Sequence, residues 1–69
     1  MSDITLTING KPRKAPSGTS LLGLLTALEL DPGAVVVEHN RTIVRRSHLS
    51  EHTVDEGDQI ELVHFVGGG

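Results

Sequence analysis

The first apolar residues of the chain alternate with threonines: Ile4, Leu6 and Ile8. A period of two is typical of a strand with one buried face. Asn9-Gly10 follows at once and predicts a type I′ hairpin turn, because both central residues of that turn need a positive φ. Pro12 in the returning arm, residues 11–15, has no amide hydrogen to donate, which confines that arm to a sheet edge. We therefore expect a hairpin whose first strand lies inside the sheet.

The next apolar stripe has the period of a helix. Four leucines fall at positions i, i+3, i+4 and i+7: Leu21, Leu24, Leu25 and Leu28. This spacing places them on one helix face, where they can cover a sheet. Thr19 or Ser20 can accept an amide hydrogen bond as the N-cap. Asp31-Pro32-Gly33 is a breaker sequence, and we expect the helix to end there.

Three shorter apolar runs complete the chain: residues 34–37, 42–44 and 59–66. Their β-branched residues favour strands. Residues 38–41 predict a turn between the first two runs, and residues 46–52 predict one loose helical turn. Residues 55–58 predict a tight acidic turn before the last strand.

The order of elements is strand, strand, helix, strand, strand, strand, which predicts an α+β domain over residues 1–66. We expect a β-grasp fold, with a mixed sheet of about five strands and one main helix across one face. The first and last strands have the clearest apolar patterns, so we expect them to lie side by side in the middle, in parallel. Residues 67–69 predict a flexible glycine tail.

The composition argues against several kinds of chemical site and binding partner. The chain has no cysteine, which excludes disulfides, thiol nucleophiles and thiolate metal sites. A net charge of −3 and a single aromatic residue, Phe65, argue against nucleic-acid binding, which needs basic side chains and stacking rings. The sequence shows no signal peptide and no apolar run of membrane-spanning length, so we expect a cytoplasmic protein with no membrane partner.

Charge is distributed unevenly along the sequence. All six basic residues lie at or before Arg46, whereas five acidic residues follow it. Each residue taken singly is explained as ordinary solvated surface. The segregation could also steer a charged partner toward one side of the domain.

Side chains able to catalyse a reaction are almost absent. The four histidines are dispersed along the chain: His39, His48, His52 and His64. His48 and His52 would share a helix face, but two ligands without a third make a weak zinc signal, and we predict no metal site. With no converging polar residues, an enzyme in its own right is the least favoured function.

The glycines at the end of the chain carry the strongest chemical signal. A strand that runs into Gly67, Gly68 and Gly69 places a carboxylate on a narrow stalk without side chains. Such a stalk can enter an enzyme that activates a carboxylate with ATP. We predict Gly69 as the reacting residue, and Gly67 and Gly68 as residues that a partner binds. The alternative is a frayed tail or a remnant of expression.

The last strand predicts a docking surface beside this tail. Ile60 and Leu62 share one face, which we assign to the core beneath the helix. Val63 and Phe65 then point to the opposite face, where a single helix cannot cover them. We predict that these two residues bind a partner, the alternative being apolar exposure without function.

These patterns together resemble those of the ThiS family of sulfur carriers, a β-grasp family related to the molybdopterin-synthase small subunit and to ubiquitin. The resemblance covers nearly the whole chain. It rests on the Asn9-Gly10 hairpin, the leucine helix, Asn40-x-x-Ile43-Val44 with Arg46, and the segment from Gly57-Asp58 to the glycine tail. Many family members have Pro and Trp near the positions where this chain has Arg45 and Leu49.

The resemblance implies a carrier acted on by partner enzymes. A ThiF-like adenylyltransferase would use ATP to adenylate Gly69, and a persulfide from a cysteine desulfurase would replace AMP to form a thiocarboxylate. Thiazole synthase, a ThiG-like enzyme, would accept the sulfur for thiamine biosynthesis. No permanently bound cofactor is implied. Two alternatives stay open: a carrier for molybdopterin or tRNA thiolation, and a β-grasp module that binds proteins without covalent chemistry.

Overall fold

Two hairpins and a final strand form one five-stranded sheet in the computed structural model, which describes residues 2–65. The strands are β1 (Asp3–Ile8), β2 (Lys11–Pro16), β3 (Val35–His39), β4 (Thr42–Val44) and β5 (Gln59–His64). The helix α1 is Leu21–Ala27, and two 3₁₀ helices are Pro32–Ala34 and Arg46–Glu51. Across the sheet the strand order is β2-β1-β5-β3-β4, with β1 and β5 parallel and the other neighbours antiparallel. The predicted α+β β-grasp arrangement is confirmed.

The β2 edge is protected by its prolines. Ile8 and Lys11 form the pair that closes the first hairpin, so hydrogen-bonded pairs recur at every second residue of β2. The intervening residues, Pro12, Lys14 and Pro16, direct their backbone groups away from the sheet. Only Lys14 among these three has an N–H to offer. This edge is therefore a poor template for another strand.

The helix covers one face of the sheet. Ser20 caps α1, because its side-chain oxygen accepts a hydrogen bond from the Gly23 N–H at 3.0 Å. The buried core lies between helix and sheet and comprises Leu6, Ala15, Leu21, Leu24, Leu25, Val35, Val37, Val44, Leu49, Val54 and Ile60. Within residues 2–65, no helix is long and apolar enough to cross a membrane.

The helix ends earlier than its leucine spacing predicts. Glu29 has a φ of 60°, which is outside the helical region. The Leu30 N–H donates to the Leu25 carbonyl at 2.9 Å, and the Glu29 N–H donates to the Thr26 carbonyl at 3.0 Å. These two bonds form a Schellman motif, which satisfies the last carbonyls of the helix. The prediction that the helix ends at residues 31–33 is therefore wrong, and Leu28 is a half-buried C-cap residue.

Three strand boundaries also differ from the prediction. The turn between β3 and β4 is Asn40-Arg41 alone, because β3 continues through His39. Both turn residues have positive φ, 52° and 72°, as in a type I′ turn. Ala34 lies in the first 3₁₀ helix rather than in β3. The last strand ends at His64 instead of reaching residue 66, which lies outside the described residues.

Candidate functional site

The face of the sheet opposite α1 carries exposed apolar side chains near the end of β5. Val63 is 56% exposed and Phe65 is 58% exposed, whereas Ile60 is fully buried. Leu62 is half-buried against the core. The predicted assignment of the two faces of the last strand is therefore confirmed. That Val63 and Phe65 bind a partner stays a prediction.

Neighbouring strands enlarge this apolar surface beyond the two predicted residues. Ile43 is 65% exposed, and half-buried Val36 stands directly opposite Val63 in the ladder. We define the outer patch as Val36, Ile43, Val63 and Phe65. Ile43 was missed by sequence reasoning, although alternation with buried Val44 within β4 is the signal that reveals it.

A cleft lies along the outer patch, at the end of the sheet where β5 finishes. Its volume is about 280 Å³ and its lining includes Pro32, Val36, Ile43, Arg45, Arg46 and Phe65. Apolar walls with arginines at one side can hold an apolar side chain next to an anionic group.

Hydrogen bonds hold the end of β5 beside this cleft. The Phe65 N–H donates to the Ala34 carbonyl at 3.0 Å, which continues the β3–β5 ladder past the last strand residue. On the other side, the Asn9 side chain accepts from the Leu62 N–H at 2.7 Å and donates to the Leu62 carbonyl at 3.2 Å. The Asn9 side chain thus makes the two hydrogen bonds to Leu62 that the backbone of a longer β1 would make. The segment that leads to the tail is fixed from both sides.

The beginning of β5 is held by a polar cluster around Asp58. The Asp58 carboxylate accepts hydrogen bonds from His39 Nε2 at 2.7 Å, from Asn40 Nδ2 at 3.1 Å and from the Asp55 N–H at 2.8 Å. Burial alone would raise the pKa of Asp58, but these bonds outweigh burial and hold the pKa below its ordinary value. The cluster anchors the strand at its first residues.

Two of the four histidines lie close together in the structure, and the other two are exposed. His39 contacts Asp58, and its ring lies edge-on to that of His52, with centroids 5.9 Å apart. His48 and His64 are exposed. In the described part of the chain, no three potential metal ligands lie close enough to hold an ion.

The predicted reacting residue and its neighbours, Gly67, Gly68 and Gly69, lie outside the described residues. Gly69 is four positions after Phe65 in the sequence. A fully extended chain of that length reaches at most about 14 Å. The predicted reacting residue is thus close enough along the chain for one partner to contact both it and the outer patch.

Comparison with known proteins gives a consistent result. The ThiS family profile matches residues 6–69. A Magnetococcus marinus protein named thiazole synthase is 47% identical over 62 residues, which cover 90% of this chain and 19% of that protein. The chain therefore spans about a fifth of the length of this relative.

Two further relatives match along their whole length. The Bacillus subtilis sulfur carrier protein ThiS is 38% identical over 65 residues, covering 93% of this chain and 98% of that protein. The crystal structure of the thiamine biosynthesis protein ThiS from Geobacter metallireducens superposes with a TM-score of 0.82 at 35% identity, covering 96% of this chain and 100% of the other. The chain thus belongs to the ThiS family.

Proposed function

We propose that this chain is a sulfur carrier for thiamine biosynthesis and that its reacting group is the carboxylate of Gly69. The observation that carries the proposal is full-length similarity to a protein named as a sulfur carrier, on a fold whose exposed apolar patch includes Phe65, four positions before Gly69 in the sequence. The chain acts as a co-substrate of partner enzymes rather than as an enzyme.

The proposed chemistry begins with activation of a poor electrophile. A Gly69 carboxylate oxygen attacks the α-phosphorus of ATP within a ThiF-like adenylyltransferase, and pyrophosphate leaves. The terminal sulfur of a persulfide from a cysteine desulfurase then attacks the acyl carbon, and AMP leaves. A thiol cleaves the resulting acyl disulfide, supplying two electrons, and the product is a thiocarboxylate. Sulfur is carried without any cysteine in this chain.

The proposed acceptor of the sulfur is a thiazole synthase. The Magnetococcus marinus relative supports this partner, because a protein of that name contains a segment similar to this chain. ATP is used by the adenylating partner, and we propose no cofactor bound permanently to the carrier. Since ATP and a thiol-derived persulfide are cytoplasmic reagents, we expect the chain to act in the cytoplasm.

Tail variants test the carboxylate as the reacting group. Deleting Gly69, or adding one residue after it, misplaces the carboxylate by about 3.5 Å and should abolish adenylation. The melting temperature should stay unchanged, because the buried core of the described residues runs from Leu6 to Ile60 in the sequence. Intact mass after incubation with a ThiF-like enzyme, ATP and a sulfur donor measures the oxygen-to-sulfur exchange.

Normal AMP transfer to either tail variant would refute Gly69 as the reacting residue, whereas no AMP transfer to wild type would leave a non-covalent binding module as the function. If the thiocarboxylate forms but thiazole synthase does not consume it, the carrier serves another pathway, such as molybdopterin formation or tRNA thiolation.

A further inference from the structure

Acidic side chains border the outer patch on the side away from the tail. Glu38 on β3 stands opposite Glu61 on β5 and opposite Ile43 on β4. Directly opposed residues share one face of a sheet, so the two carboxylates lie side by side there. Like charges in this arrangement weaken a sheet. Within residues 2–65, neither carboxylate forms an ion pair.

Two arginines border the same patch on the side nearer the tail. Arg45 follows Ile43 by two positions in extended conformation, and β4 runs in the same direction as β5. The Arg46 guanidinium packs over Gly33, with Nη1 2.8 Å from where a Cβ on that glycine would lie. Neither arginine is paired with a carboxylate in the described part of the chain.

The charges beside the outer patch therefore change sign along the direction of β5, from acidic to basic. Glu38 and Glu61 lie at the level of Ile43, and the apolar pair of Val36 and Val63 forms the next level. Arg45, continuing the register of β4 past Val44, stands at the level of Val36 and Val63, and Arg46 beside Gly33 lies further toward the end of β5. Apolar burial by itself is non-directional, whereas charges at opposite ends of a surface favour one orientation of the docked protein.

We infer that the outer patch docks the adenylating partner in one orientation, which is set by charge: a basic group of the partner faces Glu38 and Glu61, an acidic group faces Arg45 and Arg46, and an apolar side chain fills the cleft. This inference rests on the proposed function. A reversed orientation would bring like charges together. A basic group of the docked partner relieves the repulsion between Glu38 and Glu61 in the complex.

Exchanging two charges tests the inference without changing composition or net charge. The variant combines Glu38→Arg with Arg45→Glu, both on the patch. A matched control combines Lys14→Glu with Glu51→Lys, which exchanges two exposed charges outside the patch. Phe65→Ser serves as a third variant, which removes apolar contact while retaining the charges. AMP transfer by the ThiF-like enzyme of the same organism gives KM and kcat, and thermal melts check folding.

For the charge exchange we expect KM to rise at least about tenfold without a fall in melting temperature, because Glu38→Arg places opposite charges across from each other at residues 38 and 61. For the control we expect KM to change by less than about twofold. The Kd of the complex with the enzyme should differ between wild type and exchange variant at about 0.1 M salt. At about 1 M salt, where the Debye length falls to about 3 Å, this difference should shrink.

Several results would overturn the inference. If the exchange variant keeps the wild-type KM while Phe65→Ser raises it, the patch docks the enzyme but charge does not orient it, and the proposed function stands. If wild type forms a dimer in sedimentation that the exchange abolishes, the occupant is a second copy. If wild type accepts no AMP at all, the proposed function fails and the inference with it.

Discussion

The two hairpins share a turn geometry but differ in how their sequences produce it. Asn9-Gly10 joins β1 to β2 with φ values of 50° and 81°, and Asn40-Arg41 joins β3 to β4 with 52° and 72°. Glycine adopts a positive φ without strain, whereas arginine does so at a cost of about 1–2 kcal/mol. The second turn therefore needs stabilisation from outside the hairpin.

Contacts to β5 supply that stabilisation. Asn40 accepts a hydrogen bond from the Gln59 N–H at 2.8 Å through its side chain, and its own N–H donates to the Gln59 carbonyl at 2.8 Å. Its side-chain amide also donates to the Asp58 carboxylate. Asn9 contacts β5 through the backbone of Leu62. Local propensity thus specifies the first turn, and tertiary contacts specify the second.

The largest expected effect comes from replacing the asparagines. Asn40→Ala should destabilise the fold by about 2–3 kcal/mol, and Asn9→Ala by about 1–2 kcal/mol, because only Asn40 donates to a carboxylate. The two positions have nearly the same φ, so the backbone cost of alanine cancels between them. Urea unfolding of both variants measures the difference. Equal losses would show that the Asp58 contact adds nothing.

The second residue of each turn should respond in opposite directions. Gly10→Ala places a Cβ at a φ of 81° and should destabilise the fold by about 1–2 kcal/mol. Arg41→Gly removes that strain but adds chain entropy to the unfolded state, so we expect a net gain of about 0.5–1 kcal/mol. Thermal melts of the two variants provide the measurement. A loss of stability in Arg41→Gly would mean that the arginine side chain makes a contact worth more than the strain.

The same contrast explains what the sequence could predict. The hairpin at Asn9-Gly10, the N-cap and the faces of β5 follow from turn chemistry and from alternation within a few residues, and each prediction is confirmed. The end of α1 at Ala27 depends on the positive φ of Glu29, and the two-residue turn at Asn40 depends on partners distant in sequence, neither of which local patterns show. Sequence placed Val63 and Phe65 correctly on the outer face, yet their grouping with Val36 and Ile43 requires the strand register.

The smallest expected difference between the two turns is in their response to acid. The Asp58 carboxylate supports the second turn. Burial raises its pKa in the folded state, but hydrogen bonds from His39, Asn40 and Asp55 lower it by more, so the net shift is downward. A carboxylate with a lowered folded pKa stabilises the fold above its unfolded pKa, and this contribution is lost as the pH falls through the folded value. Asp58→Asn should thus be less stable than wild type at neutral pH, with a deficit that shrinks as the pH falls below about 3.8, the ordinary value for this group.

Asn9→Ala is the control, because its amide and backbone partners do not titrate and its deficit should stay constant with pH. Urea unfolding from pH 7 to about pH 3 measures both deficits, and a constant deficit for Asp58→Asn would show that Asp58 acts through shape rather than charge.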